Sequence, residues 1–274
     1  MSQPLVSVIV TTKNSSATLG NCLQSIKEQT YKNIELIVVD NFSSDETPFL
    51  SKKYTKHFYS LGPERSTQRN YGGKKAKGTY VFFIDSDMEL HKKIVEQAVE
   101  IMEGSMAISG IIVPEESFGN GFWAQCKKLE RSFYLGVPYM EAARFFKKSD
   151  FLDVKGYDEK MVSGEDWDLS QRIGKNGDYG RTKDFIRHNE GHISLLKTLK
   201  KKSYYAKIFA RYAKEPRNSQ NVSQQTSVIG RYALFFKHPV KLFRNPILGI
   251  GMLFMKTSEF AFGGISYIIA RNKK

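Results

Sequence analysis

Two aspartates follow directly on an apolar segment in the stretch YVFFIDSDMEL, Tyr80 to Leu90. Asp85 and Asp87 are two residues apart, so in an extended chain both side chains point to the same side. Two carboxylates held this close repel each other unless a cation or a group of hydrogen-bond donors neutralises them. A Mg²⁺ or Mn²⁺ ion that also binds a diphosphate meets this need. An Asp-Ser-Asp helix cap is the simple alternative for three residues taken alone.

These aspartates belong to a regular alternation of strand-like and helix-like segments. Strands are predicted at Val6–Val10, Ile34–Asp40, His57–Leu61, Tyr80–Ile84 and Ala107–Val113, and helical patterns separate the first four of them. This alternation predicts an α/β fold of the doubly wound, Rossmann-like kind, with a mostly parallel sheet flanked by helices. In such folds the ligand binds beyond the carboxyl ends of the strands. The polar stretches TTKN, DNFSSD and DSD therefore gather at one edge of the sheet.

Composition restricts the class of partner. The chain has 274 residues and a net charge of +14, from 42 basic and 28 acidic residues. This excess favours an anionic partner such as a phosphorylated substrate, a membrane surface or a nucleic acid. The two cysteines, Cys22 and Cys126, show no disulfide or zinc spacing and suit a reducing compartment. The residues before the first strand predict no signal peptide.

The last quarter of the chain is basic and apolar, and it predicts a separate region of helices. We expect a catalytic domain over residues 1–200 and a helical, membrane-associating region over residues 201–274. Val228–Pro246 interleaves cations with aromatic and aliphatic residues, which is typical of a pair of interfacial helices. Because the charge lies among apolar residues, it favours an anionic membrane surface over a nucleic-acid groove, and we expect no nucleic-acid partner.

A longer apolar segment, Ile247–Ala270, has the length of a membrane-spanning helix. Lys256 and Glu259 fall in its middle, where charges are costly in hydrocarbon, and they are spaced so that they can pair on one helix face. We therefore expect association in the plane of the membrane in preference to a span. A helix packed on the protein's own domain is the third possibility.

Four segments in order resemble the family 2 glycosyltransferases of the GT-A fold. They are VSVIVTTKN, ELIVVDNFSSDET, RSTQRNYGGKKAKGTYVFFIDSDMEL and GYDEKMVSGEDWDL, and the resemblance extends over roughly residues 5 to 195. It implies an inverting hexosyltransferase that moves a sugar from a nucleotide-sugar donor by single displacement, with a divalent metal ion (Mn²⁺ or Mg²⁺). With the basic tail, it implies an enzyme at the cytoplasmic face of the membrane that acts on a lipid-linked or glycan acceptor.

The resemblance assigns a donor and metal site. The donor-binding positions are Thr11, Asp40, Arg65, Arg69, Asp85, Ser86 and Asp87, and the metal positions are Asp85, Asp87 and His188. Thr11 and Asp40 match the positions that hold the base and ribose, although Asp40 can instead cap its loop and Arg65 can be solvated surface. Asp87 is the preferred metal ligand, and Asp85 is the alternative contact for the ribose or donor sugar.

The resemblance also assigns the catalytic residues. GEDWDL matches the motif that carries the general base, which deprotonates the acceptor hydroxyl. Asp166 is the predicted base and Glu165 the neighbouring candidate, while Asp168 is expected to orient or cap the following helix. The predicted acceptor-side residues are Trp167 and Arg144, and the predicted diphosphate contacts are Lys201 and Lys202. A packing role for Trp167 and a membrane-facing role for the two lysines are the alternatives.

One departure from the family pattern leaves the donor open. Asp40 is followed by Asn41 and Phe42, where many relatives have Asp-Gly-Ser, so UDP, GDP and dTDP sugars all remain candidates. The signatures of two other enzyme classes are absent from this sequence. The loop after the first strand has neither the glycine-rich, basic pattern of a sugar-phosphate nucleotidyltransferase nor the GxGxxG of a dinucleotide-binding enzyme. A non-catalytic sugar-nucleotide-binding protein is the remaining alternative.

Overall fold

The computed structural model describes residues 3–272, and they form two compact units. The first unit contains the residues up to Glu115 together with Ala142–Lys160 and Glu165–His188. The second contains Glu116–Glu141, Met161–Gly164 and the residues from Asn189 onward. The sequence predicts one boundary near residue 200, whereas the second unit also takes in a segment from the middle of the chain. We describe each unit separately.

The described chain contains ten strands and twelve α-helices. The strands are β1 (Val6–Thr12), β2 (Ile34–Asp40), β3 (His57–Ser60), β4 (Tyr80–Asp85), β5 (Met88–Leu90), β6 (Ile108–Ile112), β7 (Glu115–Asn120), β8 (Phe145–Lys147), β9 (Asp178–Arg181) and β10 (Ile186–His192). The helices are α1 (Ser16–Lys27), α2 (Thr47–Tyr54), α3 (Arg65–Lys75), α4 (Ile94–Gly104), α5 (Phe122–Ser132), α6 (Lys148–Asp153), α7 (Glu165–Ile173), α8 (Leu195–Lys214), α9 (Ser219–Thr226), α10 (Val228–Phe236), α11 (Pro239–Phe243) and α12 (Pro246–Asn272).

The first unit is built on a seven-stranded sheet with the order β3-β2-β1-β4-β8-β6-β9. The pairs β1–β2, β1–β4, β2–β3 and β6–β9 are parallel, and β8 alone runs antiparallel to both of its neighbours, β4 and β6. The mostly parallel α/β sheet predicted from the sequence is thus confirmed. A second, three-stranded sheet has the order β5-β10-β7.

The central strands are buried on both faces, as their nearly continuous apolar sequences predict. In β1, Val6, Val8 and Val10 face one core cluster while Ile9 faces the other. In β4, Phe82 and Ile84 alternate in the same way with Val81 and Phe83. This alternation follows from the two-residue period of a strand. The sheet is therefore a rigid base for the polar side chains at its edge.

The strand register brings two predicted site segments together. Thr11 pairs with Asp85 across β1 and β4, and Thr12 pairs with Asp40 across β1 and β2. Because these three strands are parallel, their carboxyl ends meet at one edge. The loops after β1, β2 and β4 consequently share that edge, as the sequence predicts.

Helix α3 lies close to the sheet because two glycines face its neighbours. A Cβ on Gly72 would lie 2.5 Å from a methyl carbon of Ile9, and one on Gly73 would lie 2.5 Å from the Phe151 ring. Helix α3 continues through both glycines and ends at Lys75. The close approach allows an inward side chain of α3 to reach the end of β4.

The second unit is largely helical and has its own apolar core. Cys126 and Phe133 from the α5 region pack with Phe235, Leu242 and Met252 from α10, α11 and α12. This packing explains why the middle segment belongs with the C-terminal helices. The polar stretch from residue 214 to 227, expected to be a connector, contains the short helix α9. None of the helices within residues 3–272 combines the length and apolar composition needed to cross a membrane.

Candidate active site

A buried arginine joins the two carboxylate motifs of the first unit. The Arg69 guanidinium donates from Nη2 to Asp85 Oδ1 at 2.7 Å and from Nη1 to Asp166 Oδ1 at 2.9 Å. Glu165 Oε1 lies 3.5 Å from the same Nη1. Asp85 ends β4 and Asp166 lies in the first turn of α7, so one planar cation holds residues that are far apart in sequence. Each is a charge-assisted hydrogen bond, which is stronger than a bond between neutral groups.

Local packing fixes the position of Arg69. Its side chain is 1% exposed, and its guanidinium carbon lies 5.1 Å from the centre of the Tyr157 ring, which it can contact as a cation. The neighbouring Asn70 binds both the backbone amide and the carbonyl of Tyr157 through its side chain. Asn70 thus supports the loop that contains Tyr157, and the Tyr157 ring in turn lies beside Arg69.

The charges around Asp85 keep its carboxylate ionised. Burial raises the pKa of Asp85, but the guanidinium groups of Arg69, Arg144 and Arg65 outweigh burial and hold that pKa well below its usual range. Asp85 Oδ2 lies 3.7 Å from Arg144 Nη1, so both carboxylate oxygens face cations. This environment favours the alternative in which Asp85 contacts the donor, since its negative charge is already neutralised by arginines.

Glu165 and Asp166 occupy different environments although they are adjacent. Burial and the repulsion of the Asp166 charge raise the pKa of Glu165 to about 7, against the attraction of Arg69 and Arg65. The Glu165 side chain is 6% exposed, whereas a quarter of the Asp166 side chain is accessible. Asp166 is therefore the member of the pair that a ligand can reach.

The raised pKa of Glu165 predicts a pH-dependent stability. The folded chain binds more protons at this group than the unfolded chain between its ordinary pKa of 4.5 and its folded value of about 7, so its contribution to stability falls as pH rises through this range. Glu165→Gln removes this dependence. We expect the free energy of unfolding of the variant, relative to the natural chain, to rise by about 2–3 kcal/mol between about pH 5 and about pH 8 in urea titrations.

Glu100→Gln, on the exposed side of α4, is the matched control. Its free energy of unfolding should differ from that of the natural chain by the same amount at both pH values. A Glu165→Gln variant that also keeps a constant difference would contradict the raised pKa.

The other residues of GEDWDL have structural contacts. Asp168 is fully buried and its Oδ2 accepts a hydrogen bond from Arg172 Nε at 2.8 Å, one helical turn along α7. This contact fits the orienting role predicted for Asp168. Trp167 is half-buried, and its acceptor-side role stays a prediction.

Asp87 and His188 form the part of the site that can bind a metal ion. His188 Nε2 lies 3.4 Å from Asp87 Oδ2, because His188 pairs with Met88 across β10 and β5. Asp87 Oδ1 is buried and has no hydrogen-bond partner, so an oxygen with ligand capacity faces this position. His188 Nδ1 lies 3.3 Å from Glu115 Oε2. A carboxylate on the second ring nitrogen is the usual orienting partner of a metal-binding histidine.

These groups fit a metal ion that is shared with a diphosphate. Within the described residues, no three His, Cys, Asp or Glu side chains are placed so that they can hold a metal ion by themselves. Mg²⁺ and Mn²⁺ accept one or two protein ligands when phosphate oxygens supply the rest. Asp87 and His188 therefore match the donor-dependent kind of site, and Asp85 is less available because Arg69 binds it.

Sequence reasoning did not identify Glu115. This residue also accepts from Arg144, whose Nε and Nη2 both lie 2.9 Å from Oε1. Glu115 thus connects His188 to Arg144 and, through Arg144, to Asp85. No motif marks Glu115, because it lies at the start of the short strand β7. Arg144, predicted on the acceptor side, lies in this network beside the DxD aspartates, and its acceptor contact stays a prediction.

The loop after β2 is held by Asp40. The Asp40 carboxylate accepts from Thr12 Oγ1 at 2.7 Å, from Ser43 Oγ at 2.5 Å and from the Ser43 amide at 2.7 Å. The loop-cap role considered in the sequence is thus present. Asp40 Oδ1 accepts two of these bonds, and Oδ2, which accepts one, can accept a further bond. Thr12, not Thr11, contacts Asp40, while Thr11 Oγ1 is buried without a partner. Phe42 is exposed and has a φ of 49°, in the region that favours glycine.

The remaining predicted positions have weaker contacts. Arg65 is half-exposed and its Nη2 lies 3.3 Å from Glu165 Oε1. Ser86 Oγ donates to Ser15 Oγ at 2.8 Å, which ties the DxD turn to the first helix. Lys202 lies in the second unit with Nζ 3.8 Å from Glu259, and Lys201 lies over the Tyr205 ring. Diphosphate binding by these two lysines stays a prediction.

A mostly parallel sheet with carboxylates and arginines at the carboxyl ends of its strands defines an enzyme class that binds phosphorylated or nucleotide ligands at that edge. The family model "Glycosyl transferase family 2" matches residues 7–156, more than half of the chain. The chain belongs to this family, as its motifs predict.

Relatives of known sequence agree with this assignment. The chain is 34% identical over 103 residues to the putative glycosyltransferase EpsH of Bacillus subtilis, covering 35% of this chain and 30% of the relative. It is 31% identical over 163 residues to the poly(ribitol-phosphate) beta-N-acetylglucosaminyltransferase TarP of Staphylococcus aureus, covering 53% and 49%. It is 28% identical over 180 residues to the GalNAc(5)-diNAcBac-PP-undecaprenol beta-1,3-glucosyltransferase of Campylobacter jejuni, covering 59% and 57%. The chain thus spans between about a third and three fifths of these relatives' lengths.

Solved structures share the fold. The mannosyltransferase PcManGT of Pyrobaculum calidifontis, solved with GDP-Man and Mn²⁺, has a TM-score of 0.64 at 14% identity and covers all of this chain and 89% of its own. S. aureus TarS 1–349, solved with UDP-GlcNAc, has a TM-score of 0.52 at 17% identity, with 98% and 92% covered. These similarities confirm the GT-A fold.

Proposed function

We propose that this glycosyltransferase moves a hexose from a nucleotide-sugar donor to an acceptor hydroxyl by single displacement with inversion. The contact that supports this most directly is the fork of Arg69 on Asp85 and Asp166. One buried cation binds a carboxylate of the proposed donor motif and a carboxylate of the proposed general-base motif. A reaction that needs a donor sugar beside a base requires this proximity.

Asp166 is the general base of the proposed reaction. It accepts the proton of the acceptor hydroxyl while that oxygen forms a bond to the anomeric carbon, and the bond from this carbon to the diphosphate breaks with its electron pair leaving on the nucleoside diphosphate. Arg69 fixes the Asp166 carboxylate at 2.9 Å, and the exposed part of the side chain faces a ligand. A base must lie within hydrogen-bond reach of the proton that it removes.

The proposed metal site would hold the leaving diphosphate. Asp87 and His188 are the residues that would hold Mn²⁺ or Mg²⁺, which when bound offsets the negative charge of the diphosphate. Glu115 fixes the orientation of His188 through its Nδ1. Asp40 and Thr11 are the proposed contacts for the base and ribose, and the unpartnered Thr11 hydroxyl is available to donate.

The proposed acceptor is a lipid-linked glycan at the cytoplasmic face of the membrane. The name of the C. jejuni relative specifies an undecaprenol-linked acceptor, and that of TarP specifies a poly(ribitol phosphate) polymer. Both acceptors are large and carry phosphate. The net charge of +14 on this chain suits an acceptor and a surface that carry negative charge.

Donor and metal binding can be measured together by thermal unfolding. We expect one of UDP-glucose, UDP-N-acetylglucosamine, GDP-mannose and dTDP-glucose to raise the Tm, and to raise it further with Mn²⁺. At a ligand concentration of about a hundred times Kd, the stabilisation is about 2.7 kcal/mol, which is a shift of several degrees. The donor that produces the shift identifies the nucleotide.

Asp87→Ala and a matched control variant distinguish the loss of metal binding from the general effect of removing a negative charge. Asp87→Ala should keep a donor shift but lose its enhancement by Mn²⁺. Asp178→Ala removes an exposed carboxylate at the other end of the sheet, where β9 begins, and should behave like the natural chain. If no nucleotide sugar changes the Tm with or without metal, the proposed donor class is wrong.

A further inference from the structure

The second unit has a charged interior, contributed by helices α5 and α12. Lys256 Nζ lies 2.5 Å from Glu130 and 2.7 Å from Glu259, and Lys127 Nζ lies 2.8 Å from Glu130 and 3.6 Å from Glu259. Each of the four side chains is at most 13% exposed. The expected pairing of Lys256 with Glu259 is thus confirmed. Helix α5 supplies a second ion pair, Lys127 and Glu130.

All four groups remain charged in this cluster. Burial raises the pKa of Glu130, but the ammonium groups of Lys127 and Lys256 outweigh it and hold that pKa well below its usual range. Burial lowers the pKa of Lys256, and the two carboxylates raise it above its ordinary value. Lys202 Nζ lies 3.8 Å from Glu259 at the exposed side of this cluster. The buried face of α12 therefore carries Lys256 and Glu259 as well as the apolar Met252 and Met255.

The outward face of α12 exposes a row of apolar side chains. We call the exposed residues Ile247, Ile250, Phe254, Ala261 and Ile265 the α12 stripe. Their separations of three, four, seven and four residues place them along one side of a helix. The stripe is about 27 Å long at 1.5 Å per residue. A surface helix of a water-soluble domain has polar residues on its exposed face, whereas α12 is apolar on this face as well as in its buried contacts.

The neighbouring helices extend this apolar surface and add cations. Ile229, Phe236 and Val240 in α10 and α11 are exposed, and Val240 is 84% exposed. Lys237 and Arg244 are exposed beside them. The segment Val228–Ser258 contains five Lys or Arg residues and no Asp or Glu. The surface of α10–α12 therefore combines large apolar side chains with positive charge.

We propose that the α12 stripe and the exposed side chains of α10 and α11 dock on an anionic lipid bilayer, with α12 lying in the plane of the surface. Apolar side chains enter the boundary between headgroups and acyl chains, while the cations stay at the headgroups and attract anionic lipid. Docking is a property of the second unit's surface and does not depend on the proposed transfer reaction.

A second copy of the chain is the alternative occupant of this surface. A symmetric dimer would place the same patch opposite itself. Lys237, Lys241 and Arg244 of both copies would then meet with no carboxylate in Val228–Ser258 to neutralise them. Like charges that face each other across an interface oppose association. A lipid surface supplies the negative charge that this patch lacks.

Vesicle flotation tests the docking surface. We expect the full chain to float with vesicles of phosphatidylglycerol and phosphatidylcholine in equal amounts, and to float poorly with phosphatidylcholine alone or at high salt. Ile247→Asp with Ile250→Asp should lower the partition coefficient roughly tenfold or more, since two apolar anchors become charges. Both positions lie in the first turns of α12, where aspartate is compatible with a helix.

A matched double variant in the first unit serves as the control. Phe49→Asp with Met106→Asp changes two exposed apolar side chains and should leave flotation unchanged. Lys237→Gln, Lys241→Gln and Arg244→Gln together should abolish the preference for anionic vesicles. Retained flotation of the Ile247/Ile250 variant would overturn the proposal. So would a dimer in light scattering that never binds vesicles. Nucleotide-sugar shifts in Tm report separately on the proposed function.

Discussion

Replacing Asp166 by asparagine is expected to lower the rate of sugar transfer about 10³-fold, within the range of roughly 10²–10⁴ that general-base catalysis contributes. Asparagine has nearly the same shape and can still accept the hydrogen bond from Arg69 Nη1, so the fold and the donor site should persist. It cannot accept a proton from the acceptor hydroxyl. We therefore expect kcat to fall while the donor-induced shift in Tm is retained.

Glu165→Gln is the discriminating control for this prediction. Glu165 is adjacent, carries the same chemical group and also contacts Arg69, but it is buried. If Asp166 is the base, Glu165→Gln should retain most of the transfer rate. A large loss in Glu165→Gln with none in Asp166→Asn would reassign the base to Glu165. A natural chain that binds a nucleotide sugar and never transfers it would favour the non-catalytic alternative.

The residues that gather at the carboxyl edge of the sheet could be predicted from the sequence, because they lie at the ends of strands or at the start of a helix. Asp40 and Asp85 each follow a run of buried apolar residues, and Asp166 lies in the first turn of an amphipathic helix. Parallel strands place such ends together, so the neighbourhood follows from topology. The individual side-chain contacts at this edge cannot be inferred from topology, because they depend on how far and in which direction each side chain extends. The pairing of Asp40 with Thr12 instead of Thr11 is an example.

The antiparallel strand β8 was missed for a different reason. The sequence predicts no strand at Phe145–Lys147, which begins with the neighbouring aromatic residues Phe145 and Phe146. Both are fully buried: Phe145 packs against Phe82, and both pair with β4. A three-residue strand is too short to show a period, and aromatic residues are as common in cores as in binding sites.

Only one of the two ion pairs in the charged interior of the second unit can be predicted from the sequence. Lys256 and Glu259 are three residues apart, which predicts their pairing on one face of a helix. Their partners Lys127 and Glu130 lie more than a hundred residues away, and no local pattern connects the two pairs. The sequence therefore shows which residues α12 contains but not which of its faces is buried, because that depends on its contacts with α5.

Arg69→Met is expected to lower the free energy of unfolding by about 3–5 kcal/mol at neutral pH, because removing one partner leaves buried carboxylates without compensation. Asp85 and Asp166 would each lose the guanidinium that binds them, and Glu165 would lose a third contact. Methionine fills much of the arginine volume, so the loss reports on charge more than on a cavity. Urea titration at several pH values measures it.

The pH dependence distinguishes this charge effect from simple loss of packing. The pKa of Asp85 is held below its ordinary value of 3.8, so its stabilisation is present above that value and is lost as pH falls. Without Arg69, protonation of Asp85 relieves the burial of its charge. The difference in stability between the natural chain and Arg69→Met should therefore narrow as pH falls from about 7 to about 4.

Arg65→Met is the matched control, since Arg65 lies in the same helix and binds Glu165 but is 46% exposed. Exposed ion pairs contribute little, so this variant should lose about 1 kcal/mol or less, and its difference from the natural chain should narrow much less with pH than that of Arg69→Met. Equal losses in the two variants would contradict the central role assigned to Arg69. A pH-independent loss in Arg69→Met would show that its hydrocarbon chain and not its charge holds the two motifs together.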